Sequence, residues 1–276
     1  MKFAHLINPV AKGDDHELSW QQPITFESMR IASEFTKHDV ELLAAYYPED
    51  LDIVPDYFTS TTKLEDSTSG KFDKERKLPY LRDIFSKFDE VDSDYCIYTN
   101  VDIGLYPYFY DFAGWVIDSG IDSMSITRIT KENVFRSVDD LPIILSLLGN
   151  KHPGHDCFIF KRDLLPSFKL GNVCIGMPWV GMVPALNFIK FSKQFNFINN
   201  VVTTFHIGNE MEWNRMEYVD YRIHNANEAA KIYNMCKGIQ KDHVICIEFV
   251  DKLKKELELC GSGNYSNLCR KITGEK

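Results

Sequence analysis

An alternation limits the folds open to this chain more than any other feature. From residue 2 to about residue 206, short apolar, strand-like runs take turns with longer runs whose apolar residues recur every three or four positions. KFAHLIN (2–8) reads as a strand stopped by Pro9. PITFESMRIASEF (23–35) spaces Ile24, Phe26, Met29, Ile31, Ala32 and Phe35 as an amphipathic helix does. VELLAAYY (40–47) reads as a buried strand closed by Pro48, the polar stretch 49–70 as loop, and LPYLRDIFSKFDEV (78–91) as a helix with Pro79 in its first turn. DYCIYTNVD (94–102) is expected as a strand, YFYDFAGWVIDSG (108–120) as a helix stopped by Gly120, and SMSITRI (123–129) as a strand. In DDLPIILSLLG (139–149) the two aspartates stand at cap positions and Gly149 as a stop. DCFIFKR (156–162) and NFINNVVTTFHIG (196–208) are further strands, with a long helix between Gly176 and about Phe195. This order predicts an α/β fold with a mainly parallel, helix-flanked sheet.

Composition narrows the field. The 276 residues suit one large domain, 44% hydrophobic content can fill its core, and no apolar run approaches the 18 residues of a membrane span. The N-terminal stretch reads as a first strand rather than a secretory signal, and a cytoplasmic location is expected. The formal charge of −9 opposes broad adhesion to nucleic acid; the dense cationic cluster of the N-terminal half is Lys71, Lys74, Arg76 and Lys77. Seven cysteines without a C-x-x-C pair read as reduced thiols. No Walker loop and no G-x-G-x-x-G follows a strand, which disfavours an ordinary ATPase or a dinucleotide oxidoreductase.

In open α/β sheets, ligands bind beyond the carboxyl ends of strands. Asn8, Asn100, Asp102 and His206 fall there. Asn100-Val101-Asp102 puts two oxygen-bearing side chains two residues apart at a strand end, where a turn through Gly104 can aim them at a hard cation such as Mg²⁺ or Mn²⁺; equally, they can cap the next helix or make an Asx turn. His206 is a second candidate ligand or a hydrogen-bonded core residue. In HPGHDCFIFKR, Pro153-Gly154 is expected to turn the chain, and Asp156 to enter an apolar strand, where a carboxylate needs a partner: a sugar hydroxyl, an acceptor proton, Arg162 or Lys161. Arg76 and Lys77 precede a helix and suit a phosphate. Trp179 can stack on a sugar or anchor a helix.

Taken together, INP after the first strand, RKLP, YTNVDIGL, PGHDCFIF, a Gly-Trp-Gly helix start and TFHIGNExxW resemble bacterial and phage glycosyltransferase-like proteins of the GT-A (nucleotide-diphospho-sugar transferase) fold, over roughly residues 2–225. The resemblance implies a Rossmann-like catalytic domain over 1–225, with 226–276 as a helical extension packed on it. It implies a hexosyl- or pentosyltransferase moving a sugar from a nucleoside-diphosphate donor, UDP-sugar favoured, to a hydroxyl acceptor. That acceptor is a glycan, a lipid-linked sugar or a hydroxymethylated phage DNA base; an inactive nucleotide-sugar-binding protein is the alternative. Asp102 carries over as the ligand of Mn²⁺ or Mg²⁺ and His206 completes the coordination. Asn100 stands where the family's D-x-D motif has its first Asp. Asn8, Pro9, Arg76 and Lys77 carry over as nucleotide-sugar contacts, Asp156 as the catalytic base or sugar-orienting carboxylate, and Trp179 and Trp213 as acceptor contacts.

Overall fold

The computed structural model of the chain describes residues 1–199, 201–208, 213, 215–236 and 251. These fall into two compact units. One comprises residues 1–65, 86–165 and 193–210, the other 66–85, 166–192 and 211–276.

The nine strands found among the described residues all belong to the first unit. In chain order its elements are β1 (Lys2–Ile7), α1 (Leu18–Phe35), β2 (Asp39–Tyr46), β3 (Ser60–Lys63), β4 (Tyr95–Thr99), β5 (Gly104–Leu105), α2 (Phe109–Asp118), β6 (Ser123–Lys131), α3 (Leu141–Ser146), β7 (Asn150–Lys161), β8 (Phe195–Ile198) and β9 (Thr204–Ile207). The sheet runs β3-β2-β1-β4-β7-β6-β9-β5, with β8 also on β6. Pairs among β3, β2, β1 and β4 are parallel, as are β6–β8 and β6–β9; β7 is antiparallel to both neighbours, and β5 to β9. The mainly parallel α/β sheet expected from the alternation is present.

Side-chain alternation along the strands builds two faces. Phe3, Ile7, Ile97, Met124, Ile126, Cys157 and Ile159 point into one core with Phe26, Met29 and Ala32 of α1 and Phe109, Tyr110, Ala113 and Val116 of α2. On the other side Tyr98 stacks on Phe158, centroids 6.3 Å apart, and Phe88 meets Phe160 edge-on at 5.6 Å.

Several elements differ from expectation for physical reasons. α1 starts at Leu18 and carries Pro23 as its sixth residue, past the first turn, where the proline gives up one i→i−4 hydrogen bond that the packing of the helix has to outweigh. The presumed loop 49–70 holds β3, whose polar STTK is legible only as a partner for β2. The helix at 139–149 is short: α3 has Asp140 at its N-cap position, as expected, but without a side-chain cap bond, and the capping box belongs to the single 3-10 turn 138–140 before it, where the Ser137 hydroxyl accepts from the Asp139 N–H and the Asp140 carboxylate accepts from the Ser137 N–H. Pro153-Gly154 does not turn the chain; β7 runs through it, with register shifts against β6 between Ile126 and Ile129. The last strand is two, β8 and β9.

The second unit contains the helices α4 (Met182–Phe191) and α5 (Val219–Met235). Asn225 ties α5 to the preceding loop: its Oδ1 accepts from the Cys174 N–H, and its amide donates to the Cys174 and Pro178 carbonyls. Phe72 packs on Tyr221 at 4.1 Å. The amphipathic run 250–260 and the tail expected to be loose lie outside the described residues, apart from the helical residue 251. Cys96, Cys157, Cys174 and Cys236 are buried free thiols; burial pushes Cys96 and Cys174 up to about 12, so they stay protonated and inert. No helix among the described residues is long and apolar enough to cross a membrane.

Candidate functional site

The site assembles where β4, β6, β7 and β9 meet. β4 ends at Thr99, and Asn100, Val101 and Asp102 form the turn into β5. Gly104 is there because Phe205 is: a Cβ at residue 104 would lie 2.2 Å from the Phe205 ring. That close approach pairs β5 with β9, Gly104 opposite Phe205, and so carries the next residue, His206, to the Asp102 turn.

His206 is buried, and its Nε2 lies 3.2 Å from Asp102 Oδ2. Its other nitrogen, Nδ1, lies 2.8 Å from the Gly208 carbonyl, which can only accept, so Nδ1 carries a proton. Gly208 supplies the turn with φ at +81°, where a side chain is strained. In the neutral imidazole, Nε2 then presents a lone pair to a carboxylate oxygen. Two acceptors facing each other call for a positive charge between them, either a proton on Nε2 or a cation. Burial pushes the Asp102 carboxyl up, but His206 and Arg128 outweigh it and hold the group below the usual carboxylate range.

Asp102 Oδ1 is buried without a hydrogen-bond partner. Carboxylate oxygen with imidazole nitrogen is a donor set suited to Mn²⁺, and neighbouring ligands of such an ion lie about 3 Å apart. The residues therefore fit a divalent cation. Among the described residues no three His, Cys, Asp or Glu side chains group to hold a metal, so protein atoms would fill only part of a coordination shell.

Beside this pair lies a second polar group. Asn100 Nδ2 donates to Asp156 Oδ1 at 3.2 Å, Arg128 Nη1 donates to Asp156 Oδ2, and the Tyr98 hydroxyl donates to Asn100 Oδ1 at 3.3 Å. Arg128 Nη2 lies 3.4 Å from His152 Nε2. Burial, and then the Arg128 charge, hold His152 below the usual imidazole range.

Asp156 thus pairs with neither Arg162 nor Lys161. Lys161 lies five residues along the same strand, about 16 Å away and on the opposite face, and pairs with Asp163 at 3.1 Å. Arg128 reaches Asp156 from the neighbouring strand. Sequence reasoning missed Arg128 and His152. The signals were a guanidinium inside the strand-like SMSITRI and a His beside Pro-Gly in HPGHD.

The remaining candidates belong to one unit or the other. Asn8 is buried and its amide donates to the Ala45 carbonyl at 2.6 Å, bridging the ends of β1 and β2; Pro9 beside it is buried. In the second unit, the Arg76 guanidinium lies over the Tyr218 ring at 4.5 Å, the Arg76 N–H donates to the Tyr221 hydroxyl, and Lys77 is exposed. Trp179 is 1% exposed, with φ at +83°, and its carbonyl accepts from Met182 and Val183 at the start of α4. It anchors a helix and has no open face for stacking, which corrects the acceptor role expected for it. Trp213 is partly buried against Tyr80, Cys174, Met177, Tyr218 and Tyr221.

No protein-family model matches the chain, and no curated protein does. Solved structures do. S. aureus TarS 1–349 in complex with UDP superposes with a TM-score of 0.51 at 11% identity, over 91% of this chain and 71% of that one. S. aureus TarS gives 0.50 at 13%, over 91% and 43%. The mannosyltransferase PcManGT from Pyrobaculum calidifontis, in complex with GDP-Man and Mn²⁺, gives 0.48 at 12%, over 98% and 78%, too loose a likeness to bear on the assignment. The strand order and the two TarS superpositions agree: the chain has the fold of the GT-A nucleotide-diphospho-sugar transferases.

Proposed function

We propose that this protein is a metal-dependent glycosyltransferase that moves a sugar from a nucleoside diphosphate to a hydroxyl acceptor. One observation carries the reading: a carboxylate oxygen and an imidazole nitrogen meet 3.2 Å apart at the carboxyl ends of GT-A strands, with the second carboxylate oxygen buried and unpartnered. Asp102 and His206 would hold Mn²⁺ or Mg²⁺. The bound cation supplies Lewis-acid neutralisation of the charge that grows on the leaving diphosphate.

Residues of this chain do the rest. The Gly208 carbonyl orients the His206 ring and fixes its tautomer. Asp156, with one oxygen held by Asn100 and the other by Arg128, acts as an orienting carboxylate for the transferred sugar rather than as an unencumbered base. Asn100 fits that arrangement because it donates; a second carboxylate there would face Asp156 with like charge. Nucleotide contacts for Asn8, Pro9, Arg76 and Lys77, and an acceptor contact for Trp213, rest on the resemblance of the sequence. A UDP-sugar is the favoured donor, in keeping with the UDP complex of TarS. For the acceptor we propose a glycan or lipid-linked sugar; a modified DNA base has no supporting observation beyond the phage-like resemblance.

Calorimetry with UDP-, GDP- and CMP-sugars, with and without Mn²⁺, tests the reading. Metal-assisted binding of one of them, followed by transfer, is expected. Binding without transfer or hydrolysis across many acceptors would favour the inactive binding protein, and no metal-assisted binding to any donor would refute both.

A further inference from the structure

The two histidines of the site are wired in opposite senses. At His206 Nδ1–H donates to a backbone carbonyl, so in the neutral ring Nε2 is the acceptor that faces a carboxylate. At His152 the backbone contact is reversed: the Gly154 N–H donates to Nδ1 at 2.9 Å. Nδ1 therefore carries no proton, and in the neutral ring Nε2 does. That N–H faces Arg128 Nη2 at 3.4 Å. A guanidinium has donors and no acceptor, so the contact is donor against donor. Arg128 cannot swing away freely, because Asp156 grips its Nη1.

Two N–H donors held 3.4 Å apart, one of them on a permanent cation, define a point where one oxygen can accept from both at about 2.9 Å. The local chain is shaped for this. Thr127 pairs with His155 and Ile129 with Lys151, so Arg128 stands opposite the unpaired stretch 152–154 of β7. That irregularity aims the Arg128 and His152 side chains at each other, as bulges beside sites often do.

We propose that Arg128 and His152 form a two-donor clamp for a ligand oxyanion of the phosphate class, separate from the Asp102–His206 pair. Two sources can supply the oxygen: the diphosphate of the sugar donor, or an anionic group on the acceptor. Only the choice between these rests on the transferase reading; the clamp itself does not.

The test follows the ring N–H of His152 by NMR in the ¹⁵N-histidine-labelled full chain, metal-free, titrated with pyrophosphate and with inorganic phosphate. A saturable shift of the Nε2–H is expected. Arg128→Gln and His152→Phe should each weaken pyrophosphate at least tenfold by calorimetry. His152→Gln, whose amide can stand in for Nε2–H, should stay within about threefold, which a merely structural role for His152 would not predict. If Arg128→Gln does not fold, Arg128→Lys, with the charge kept and the fork lost, serves in its place.

If UDP displaces pyrophosphate and produces the same His152 shift, the oxyanion is the donor's. If phosphate still shifts His152 with UDP already bound, it is the acceptor's. Absence of any His152 shift with pyrophosphate, phosphate or UDP overturns the clamp, as does tight pyrophosphate binding indifferent to both residues. Failure of every nucleotide sugar to bind while pyrophosphate still moves His152 would sink the transferase reading and leave the clamp standing.

Discussion

Two buried histidines in the same unit make an instructive pair. His5, in the middle of β1, is fully buried, and its ring nitrogens lie 2.8 Å from the Tyr110 hydroxyl and 3.0 Å from Thr99 Oγ1. A hydroxyl can donate or accept, so either tautomer is satisfied and nothing is left over. His206, at the end of β9, is buried almost as well, but its partners are a carbonyl and a carboxylate, which both accept. The first arrangement is complete without a ligand, whereas the second stays short of one positive charge. Burial of a polar side chain does not mark a site; a mismatch between fixed donors and acceptors does.

The comparison breaks most readily at Asp102. Asp102→Ala should lower sugar transfer by about 10³-fold or more, the scale of losing a principal electrostatic group. It should also abolish any Mn²⁺-dependent rise in Tm while leaving the metal-free Tm within a few degrees. Steady-state assays and thermal melts with and without Mn²⁺ measure both. Surviving transfer would mean that the acceptor–acceptor pair is not where the cation acts.

His5→Leu is the converse variant. It strips partners from the Tyr110 hydroxyl and Thr99 Oγ1 inside the core and should cost about 2–4 kcal/mol of stability in denaturant titrations. Mn²⁺ affinity should stay as it was. A large loss of Mn²⁺ affinity in a folded His5→Leu protein would erase the difference between the two histidines.

The pH dependence of stability sharpens it further. Burial lowers the His5 pKa to about 3, against about 6.5 for an unfolded histidine. Between these values the unfolded chain binds a proton that the folded chain does not, so stability rises with pH there. The neutral His5 contribution is fully present above about pH 6.5 and is lost as pH falls toward 3, with a limiting slope of about 1.4 kcal/mol per pH unit. Melts of the wild type and His5→Leu from pH 7 to 4 should converge as pH drops; parallel curves would show that His5 does not titrate this way.

The smallest effect belongs to Asn100→Asp. The change sets a carboxylate where the Asn100 amide now donates to Asp156 at 3.2 Å. Without metal it should cost about 1 kcal/mol by like-charge repulsion, and Mn²⁺ should stabilise the variant more than the wild type. Equal Mn²⁺ shifts in the two proteins would separate position 100 from the cation.

The sheet was legible because strand and helix periodicities are local properties of the chain. Pro9, Pro48 and Gly120 mark ends close to where β1, β2 and α2 stop. β3 was not legible, since STTK has no apolar alternation and is a strand only through β2. At the site, Asp102 and His206 could be picked out because polar residues at strand ends are unusual. Arg128 could not be tied to Asp156, because that contact depends on the register between β6 and β7, which no local pattern records. For Trp179 the sequence leaves stacking on a sugar and anchoring a helix both open; the residue is buried at a helix start, because a single residue's burial is set by what folds over it.

By itself the sequence determined the alternation of elements, the strand ends and the residue types available there, because these follow from near-neighbour spacing and backbone stereochemistry. Tertiary structure alone decided which histidine nitrogen meets which partner. A tautomer is fixed by atoms brought together across the sheet: by a carbonyl at Gly208 and a carboxylate at Asp102 for one ring, and by an amide at Gly154 and a guanidinium at Arg128 for the other.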